Sequence, residues 1–163
     1  MNKLERLQKI VEKFNKRNLR IAIAESCTGG YVSHMMTNIP GASNVFERGI
    51  VCYSNQAKIE LLKVSPKSIK IHGAVSESVV KQLASNIKKL SKVDIGIGVS
   101  GIAGPSGGTP EKPVGTVFIG FSTGEKTIVN KFIFKTDRIN FKKMVFEKIL
   151  DYLEQINYDL LKD

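Results

Sequence analysis

A serine and two glycines mark the point where a predicted strand gives way to a predicted helix. Residues 19–24 form a short apolar run typical of a buried strand, and a helical pattern begins near Gly29. Ser26, Thr28, Gly29 and Gly30 therefore lie at a strand–helix junction, where open α/β sheets usually bind ligands. Glycines let the backbone approach a ligand closely, and free N–H groups at a helix start favour an anion. An ordinary capped helix would use the same residue types.

Two further polar segments follow predicted strands, at residues 53–58 and 100–109. The second contains four glycines in ten residues, too many for a loop that packs by itself. It therefore fits a loop that wraps a ligand better than a flexible surface loop. The topology of the sheet could bring all three polar segments to one edge.

The residue types in these segments favour an activated hydroxyl over other catalytic groups. The only two histidines, His34 and His72, lie outside polar motifs, so a histidine-based triad has weak support. Serine paired with lysine is the remaining route to a nucleophilic oxygen. Lys58 in a partly desolvated cleft could lose its proton and take one from a serine, while Tyr53 could relay that proton or stabilise an oxyanion. Spacing alone favours a simpler interpretation, a strand-end tyrosine and a solvated lysine.

The composition is typical of one globular domain over residues 1–163, with 42% hydrophobic residues. No apolar run approaches the roughly 20 residues of a membrane span, and the charged N-terminal segment lacks the apolar core of a signal peptide. Cys27 and Cys52 are too few for a disulfide framework or a zinc cluster. We interpret them as reduced thiols in a cytoplasmic protein.

The net charge of +10 is spread along predicted helices and is not gathered into one block. It lacks the interleaved aromatic residues on which bases stack. Most of it is therefore expected to be solvated helix surface, which attracts phosphate-bearing ligands without specificity. We expect no specific nucleic-acid partner and no membrane partner.

Hydrophobic periodicity predicts an α/β fold. The predicted helices are 2–17, 29–38, 56–62, 77–90 and 139–158; the predicted strands are 19–24, 45–53, 93–99, 114–122 and 127–134, with 63–75 as a loop. Helices between strands imply crossover connections, so we predict a mainly parallel sheet covered on both faces. The last two strands read as a hairpin, which adds an antiparallel strand. Gly96 and Gly98 indicate that another element packs closely on their strand.

Six short segments occur in a fixed order along the chain. They are 23–30, 40–43, 53–55 with Lys58, 73–77, 100–105 and 112–117. Together they resemble the CinA C-terminal domain family, from about residue 4 to about residue 155 and without a large gap. The resemblance implies a three-layer α/β/α sandwich with a mixed sheet. Two positions depart from the family pattern, since Ser100 stands where many relatives have threonine and Arg48 where many have glycine.

The stand-alone members of that family are nicotinamide-nucleotide amidases. The resemblance therefore implies hydrolysis of the carboxamide of nicotinamide mononucleotide (NMN) to nicotinate mononucleotide and ammonia, with no metal and no organic cofactor. It implies serine–lysine catalysis with Lys58 and Tyr53, the serine being Ser26 or Ser43. We favour Ser26, because a strand-to-helix turn exposes a hydroxyl and supplies backbone N–H groups for an oxyanion. Ser43, in a turn ahead of the second strand, could reach the same cleft or anchor the phosphate or the ribose.

The 5′-phosphate of NMN must be held away from the reacting amide. Predicted substrate-binding residues lie at the first helix junction, in the long glycine-rich loop and at the start of the last helix. They are Thr28, Gly29, Gly30, Ser100, Gly101, Ala103, Gly104, Thr109 and Arg138. Arg138 matches a charged position of the family near the start of that helix.

Two other functions stay open at the level of sequence. One is a non-catalytic nucleotide-binding or protein-interaction module linked to competence and DNA damage. The other is an amidase for a different pyridine or purine nucleotide. The presence of both Tyr53 and Lys58 favours an enzyme. We further expect a homo-oligomer.

Overall fold

The structure is a computed structural model that describes residues 1–161. It contains six α-helices and five strands in that range. The helices are α1 (Lys3–Lys16), α2 (Tyr31–Thr37), α3 (Asn55–Leu62), α4 (Pro66–His72), α5 (Glu77–Ser91) and α6 (Arg138–Gln155). The strands are β1 (Ile21–Glu25), β2 (Phe46–Val51), β3 (Ile95–Gly101), β4 (Thr116–Thr123) and β5 (Lys126–Ile133).

The five strands form one sheet in the order β2-β1-β3-β4-β5. The first three are mutually parallel, while β4 runs antiparallel to both β3 and β5. Four of the five strands therefore point the same way, which confirms a mixed, mainly parallel sheet. Glu25 pairs with Val51 on one side and Val99 on the other. The segments that follow β1, β2 and β3 consequently meet at one edge, which we call the carboxyl edge.

Helices cover both faces of the sheet and give the predicted three layers. On one face, α1, α2 and α6 bury a core that includes Phe14, Val32 and Phe146. On the other, α3 and α5 bury a second core that includes Leu62 and Leu83. The helices α1 and α5 are clearly amphipathic, with one apolar stripe toward the sheet and a polar face toward water.

Close packing between α5 and β3 depends on two glycines. A Cβ on Gly98 would lie 2.7 Å from the backbone nitrogen of Ala84, and one on Gly96 would lie 2.2 Å from the Ala84 carbonyl oxygen. Any side chain there would push α5 off the sheet. This confirms the close approach predicted from Gly96 and Gly98.

The prediction that residues 63–75 form a loop is wrong, because α4 lies within it. Ser65 caps α4 by accepting from the backbone N–H of Ser68 at 3.3 Å, and Pro66 occupies the first turn. No residue of α4 is fully buried, so the helix has no clear apolar stripe for periodicity to detect. Its end at Gly73 directs the chain back toward the carboxyl edge.

The glycine-rich segment between β3 and β4 is held to the rest of the chain at both ends. Ile102 donates its N–H to Thr116, and Gly115 donates to Ile102, each at 2.8 Å. In the middle, the Lys112 amine donates to the His72 carbonyl at 2.6 Å.

No helix within residues 1–161 has the length and apolar character needed to cross a membrane.

Candidate active site

Lys58 points from α3 into the protein interior, where its amine meets the hydroxyl of Ser26. The residue is only 1% exposed. Its Nζ lies 2.9 Å from Ser26 Oγ, 3.0 Å from the Cys52 carbonyl oxygen and 3.0 Å from the Tyr53 carbonyl oxygen. The structure thus brings together the predicted lysine and one of the two predicted serines.

The surroundings of Lys58 favour its neutral form. Burial lowers the pKa of the Lys58 amine below its ordinary value, because a charged ammonium is poorly solvated there. Among residues 1–161 the amine has no carboxylate partner. Burial also raises the pKa of the Cys52 thiol, and raises that of Cys27 to about 12, so neither supplies a negative charge near neutral pH.

The hydrogen-bond geometry shows what a neutral amine would do. Its two hydrogens match the carbonyl oxygens of Cys52 and Tyr53, each 3.0 Å away. A third carbonyl oxygen, that of Ser54, is farther away at 3.5 Å, so the lone pair of a neutral amine would face Ser26 Oγ and accept from its hydroxyl. This arrangement lets Lys58 act as a general base toward Ser26.

Ser26 lies in a tight turn between β1 and α2. Its N–H donates to the Val99 carbonyl at 3.1 Å, which fixes the turn to β3. Gly29 and Gly30 have φ values of +58° and +98°, a left-handed backbone that glycine adopts without strain. The N–H of Cys27 donates to no carbonyl within the described residues. A free N–H directly after a nucleophilic serine is a suitable donor to an oxyanion.

Glu25, which the sequence analysis did not select, is fully buried beneath this turn. Its carboxylate accepts from the Thr28 hydroxyl at 2.6 Å and from the backbone N–H groups of Val32 and Ser33 at 2.9 and 2.8 Å. The Ser33 hydroxyl donates to it as well, at 2.6 Å. The start of α2 is therefore already occupied by an internal anion, and the Thr28 hydroxyl is directed to Glu25.

A cleft of about 230 Å³ opens beside Ser26 at the carboxyl edge. Its lining combines residues from the three polar segments with the end of the α4–α5 connection. The lining residues are Ser26, Cys27, Tyr53, Asn55, Lys58, Ala74, Val75, Ser100, Gly101, Ala103 and Arg138. The prediction that the three segments meet at one edge is confirmed.

One wall of the cleft carries positive charge from α6. Arg138 donates from Nη1 to the Gly104 carbonyl at 2.9 Å, which anchors its guanidinium beside the glycine-rich segment. One turn later, Lys142 lies near the Ser26 turn, since its Nζ is 3.8 Å from the Cβ position of Gly29. Neither side chain makes an ion pair with a residue of the described chain. Arg138, which lines the cleft, remains available to a ligand anion, whereas Lys142 is not one of the lining residues.

Ser43 does not join this site. It precedes β2, so in the parallel β1–β2 pair it lies at the opposite edge of the sheet from Ser26. At about 3.3 Å per residue, the paired stretch separates the two edges by roughly 15 Å. Ser43 is also exposed, so the expectation that its turn could reach the cleft is wrong.

The predicted binding residues Thr109, Gly104, Gly29 and Gly30 do not line the cleft. Thr109 is exposed and closes a turn by accepting from the N–H of Lys112 at 3.0 Å. Gly104 contributes its carbonyl to Arg138, whereas Gly29 and Gly30 shape the Ser26 turn. The predicted catalytic residue Tyr53 lines the cleft and is 62% exposed, and its hydrogen bonds to Ser26 and Lys58 are made by its backbone carbonyl.

Four lining residues were missed by sequence reasoning. Cys27, Asn55, Ala74 and Val75 all lie inside segments that carry the family resemblance. Ala74 and Val75 reach the cleft because α4 ends at Gly73, so their place could not be predicted without that helix.

The two residues that depart from the family pattern differ in position. Ser100 is a buried residue that lines the cleft, while Arg48 is exposed on β2 beside Glu47.

Within residues 1–161, the acidic, cysteine and histidine side chains do not form a metal site. Residues 1–161 contain no group of three or more such side chains arranged to hold a metal ion. The cleft is lined by a serine hydroxyl, a buried amine and an arginine, and by Cys27, whose N–H has no backbone carbonyl acceptor within residues 1–161. That set suits nucleophilic attack on a carbonyl group of an anionic substrate.

Comparisons with known proteins place the chain in a family. The family model described as CinA C-terminal domain matches residues 3–157. A Caldanaerobacter subterraneus protein named for competence-damage induction is 47% identical over 155 residues, which cover 92% of this chain and 38% of that protein. A CinA-like protein of Thermotoga maritima is 45% identical over 155 residues, with the same two coverages.

The fold agrees with solved structures of the same group. The crystal structure of competence damage-inducible protein A from Klebsiella pneumoniae matches with a TM-score of 0.91 at 30% identity, covering 95% of this chain and 97% of that one. The chain spans about 38% of the length of the curated relatives it matches. With a family model that matches residues 3–157, the chain belongs to the CinA C-terminal domain family.

Proposed function

We propose that this protein hydrolyses the carboxamide of NMN to nicotinate mononucleotide and ammonia, with Ser26 as nucleophile and Lys58 as general base. The observation that carries the proposal is the 2.9 Å contact between Lys58 Nζ and Ser26 Oγ inside a cleft, with the lysine 1% exposed. A surface lysine would not be held in this way. The family resemblance supplies the substrate class.

Acylation begins when Ser26 Oγ attacks the carboxamide carbon and its proton passes to the Lys58 amine. The resulting oxyanion is stabilised by the free N–H of Cys27. Lys58, now an ammonium, donates its proton to the amide nitrogen, and the C–N bond breaks to release ammonia. The pyridinium ring withdraws electrons from the carboxamide, which makes it a better electrophile than an ordinary amide.

Deacylation reverses the proton transfers. Water gives a proton to the neutral Lys58 amine and attacks the acyl carbon of the ester on Ser26. When the tetrahedral intermediate collapses, the proton returns from Lys58 to Ser26 Oγ and nicotinate mononucleotide leaves. One amine thus serves as base and acid in each half-reaction.

We assign the substrate phosphate to the side of the cleft that Arg138 lines, which we call the Arg138 wall. Of the predicted anion sites, the start of α2 is occupied by the Glu25 carboxylate. Arg138 has no carboxylate partner within residues 1–161 and is anchored to Gly104 at the cleft. A guanidinium binds phosphate through paired, charge-assisted hydrogen bonds. The exposed Tyr53 ring at the mouth is a favourable partner for the cationic pyridinium.

The test is ammonia release from NMN by the purified protein, with EDTA present and no metal added. We expect turnover by the wild type, none above background by Ser26→Ala, and wild-type turnover by Ser43→Ala as the matched serine control. Nicotinamide riboside, which lacks the phosphate, should be a much poorer substrate. Binding of NMN without ammonia release would instead favour a non-catalytic nucleotide-binding module.

A further inference from the structure

The Glu25 carboxylate stands beside the candidate nucleophile but takes no part in the proton transfers described above. It is fully buried. All its observed contacts are with the segment from Thr28 to Ser33, and it does not line the cleft. A buried charge is costly unless hydrogen bonds compensate for it. The donors of residues 28–33 supply that compensation for the Glu25 carboxylate.

Four donors converge on this carboxylate. Oε1 accepts from the Thr28 hydroxyl and the Val32 N–H, while Oε2 accepts from the N–H and the hydroxyl of Ser33. Both N–H groups belong to the first turn of α2, where the backbone lacks helical acceptors. The carboxylate therefore spans the Ser26 turn from below, tying its middle at Thr28 to the helix that follows.

The backbone of Glu25 links the turn to the lysine. Its carbonyl oxygen accepts from the Cys52 N–H at 2.8 Å and from the Cys52 thiol at 3.5 Å. The Cys52 carbonyl in turn accepts from Lys58 Nζ at 3.0 Å. Glu25 is thus fixed on one side to the Ser26 turn and on the other to the carbonyl that orients the general base.

We infer that Glu25 is a positioning residue, an internal anion that fills the start of α2 and holds Ser26 Oγ at the Lys58 amine. The inference rests on the proposed function for its kinetic consequences. It has a second consequence for binding, because an occupied helix start leaves substrate anions to the Arg138 wall.

The first test is Glu25→Gln, which keeps the shape and removes the charge. An amide NH₂ cannot accept hydrogen bonds, so one pair of donors loses its acceptor. We expect kcat to fall about 100-fold, as for a small misplacement of reacting groups, with KM for NMN nearly unchanged. Glu125→Gln, in the exposed β4–β5 turn, is the matched control and should behave as wild type.

The second test is chemical rescue of Glu25→Ala. Acetate has the size of the missing part of the side chain and carries its charge, whereas acetamide has the size alone. We expect acetate to restore part of the lost kcat in a saturable way and acetamide to have no effect. A general loss of folding would respond to neither and would appear in thermal unfolding.

Amide exchange followed by NMR examines the same contacts without substrate. The N–H groups of Val32 and Ser33 should exchange faster in Glu25→Gln than in the wild type or in Glu125→Gln. If the wild type releases no ammonia from NMN, the proposed function fails, and this exchange result still decides whether Glu25 holds the turn. A folded Glu25→Gln with wild-type kcat and wild-type exchange, or equal rescue by acetate and acetamide, would overturn the inference.

Discussion

Ser26 and Ser43 both lie in glycine-containing turns beside the β1–β2 pair, but at opposite edges of the sheet. Ser26 is almost fully buried, and its Oγ lies 2.9 Å from the buried Lys58 amine. Ser43 is exposed and does not line the cleft beside Ser26. The two hydroxyls thus differ in environment because parallel pairing sends their turns to opposite ends of the strands. Sheet topology, more than the local motif, decides which serine lies beside the Lys58 amine.

The largest effect should come from Lys58→Met, which removes the proposed general base at the carboxyl edge. We expect kcat to fall about 100- to 10,000-fold, the usual contribution of general acid–base groups. Methionine fills the space better than alanine, whose cavity would cost about 2–5 kcal/mol of stability at a buried site. The melting temperature should stay within about 5 °C, because an apolar replacement of a buried polar group is often neutral. Ammonia release and calorimetry measure the two effects.

Near-normal turnover of a folded Lys58→Met would show that the amine is structural. The control is Lys63→Met, at the exposed end of α3. It should retain wild-type turnover.

The next effect concerns substrate binding at the Arg138 wall. Arg138→Gln should raise KM for NMN about 10- to 100-fold, the equivalent of one charge-assisted contact, with a smaller change in kcat. Lys143→Gln, on an exposed part of α6, is the matched control. Steady-state kinetics separate the two constants. A change confined to kcat would remove Arg138 from phosphate binding.

A pH profile then tests the protonation state of Lys58. Burial lowers the pKa of Lys58 below its ordinary value near 10.5. The base must be neutral to accept a proton, so kcat/KM should rise with pH by up to about tenfold per unit and level off above the lowered pKa. The plateau should therefore begin below pH 10.5. If kcat/KM, measured at constant ionic strength, stayed flat from acidic pH up to pH 10.5, the result would contradict a lysine base.

The smallest effect is expected from the thiols beside the site. Burial raises the pKa of Cys27 to about 12 and that of Cys52 above its usual value, so both stay protonated near neutral pH. Thiols react with alkylating agents as thiolates. Iodoacetamide at pH 7 should therefore leave turnover nearly unchanged, with peptide mass spectrometry confirming unmodified cysteines. Rapid inactivation with a carboxamidomethyl group on Cys27 would show a reactive thiol in the cleft.

The sequence predicted the elements with strong periodicity and the segments that meet at the carboxyl edge. Residues 26–30, 53–58 and 100–109 lie at or just after the ends of strands, and parallel strands place their ends together. The same rule could have excluded Ser43, because a helix between β1 and β2 implies parallel pairing and sends the turn before β2 to the other edge.

Other features depend on three-dimensional contacts that spacing does not report. The burial of Lys58 could not be read from a short helix whose pattern allows a solvated lysine. Glu25 ends an apolar strand, and its four donors come from residues 28–33, so its role depends on how the turn closes. A charged residue ending an otherwise apolar run was the one signal available for it.

The central claim is that Ser26, and not Ser43, forms a covalent intermediate. Rapid quenching of the protein during turnover of NMN, followed by peptide mass spectrometry, measures this directly. We expect the acyl group of nicotinate mononucleotide on the peptide that carries Ser26, and its loss in Ser26→Ala but not in Ser43→Ala. An adduct on the Ser43 peptide, or full turnover by Ser26→Ala, would contradict the account.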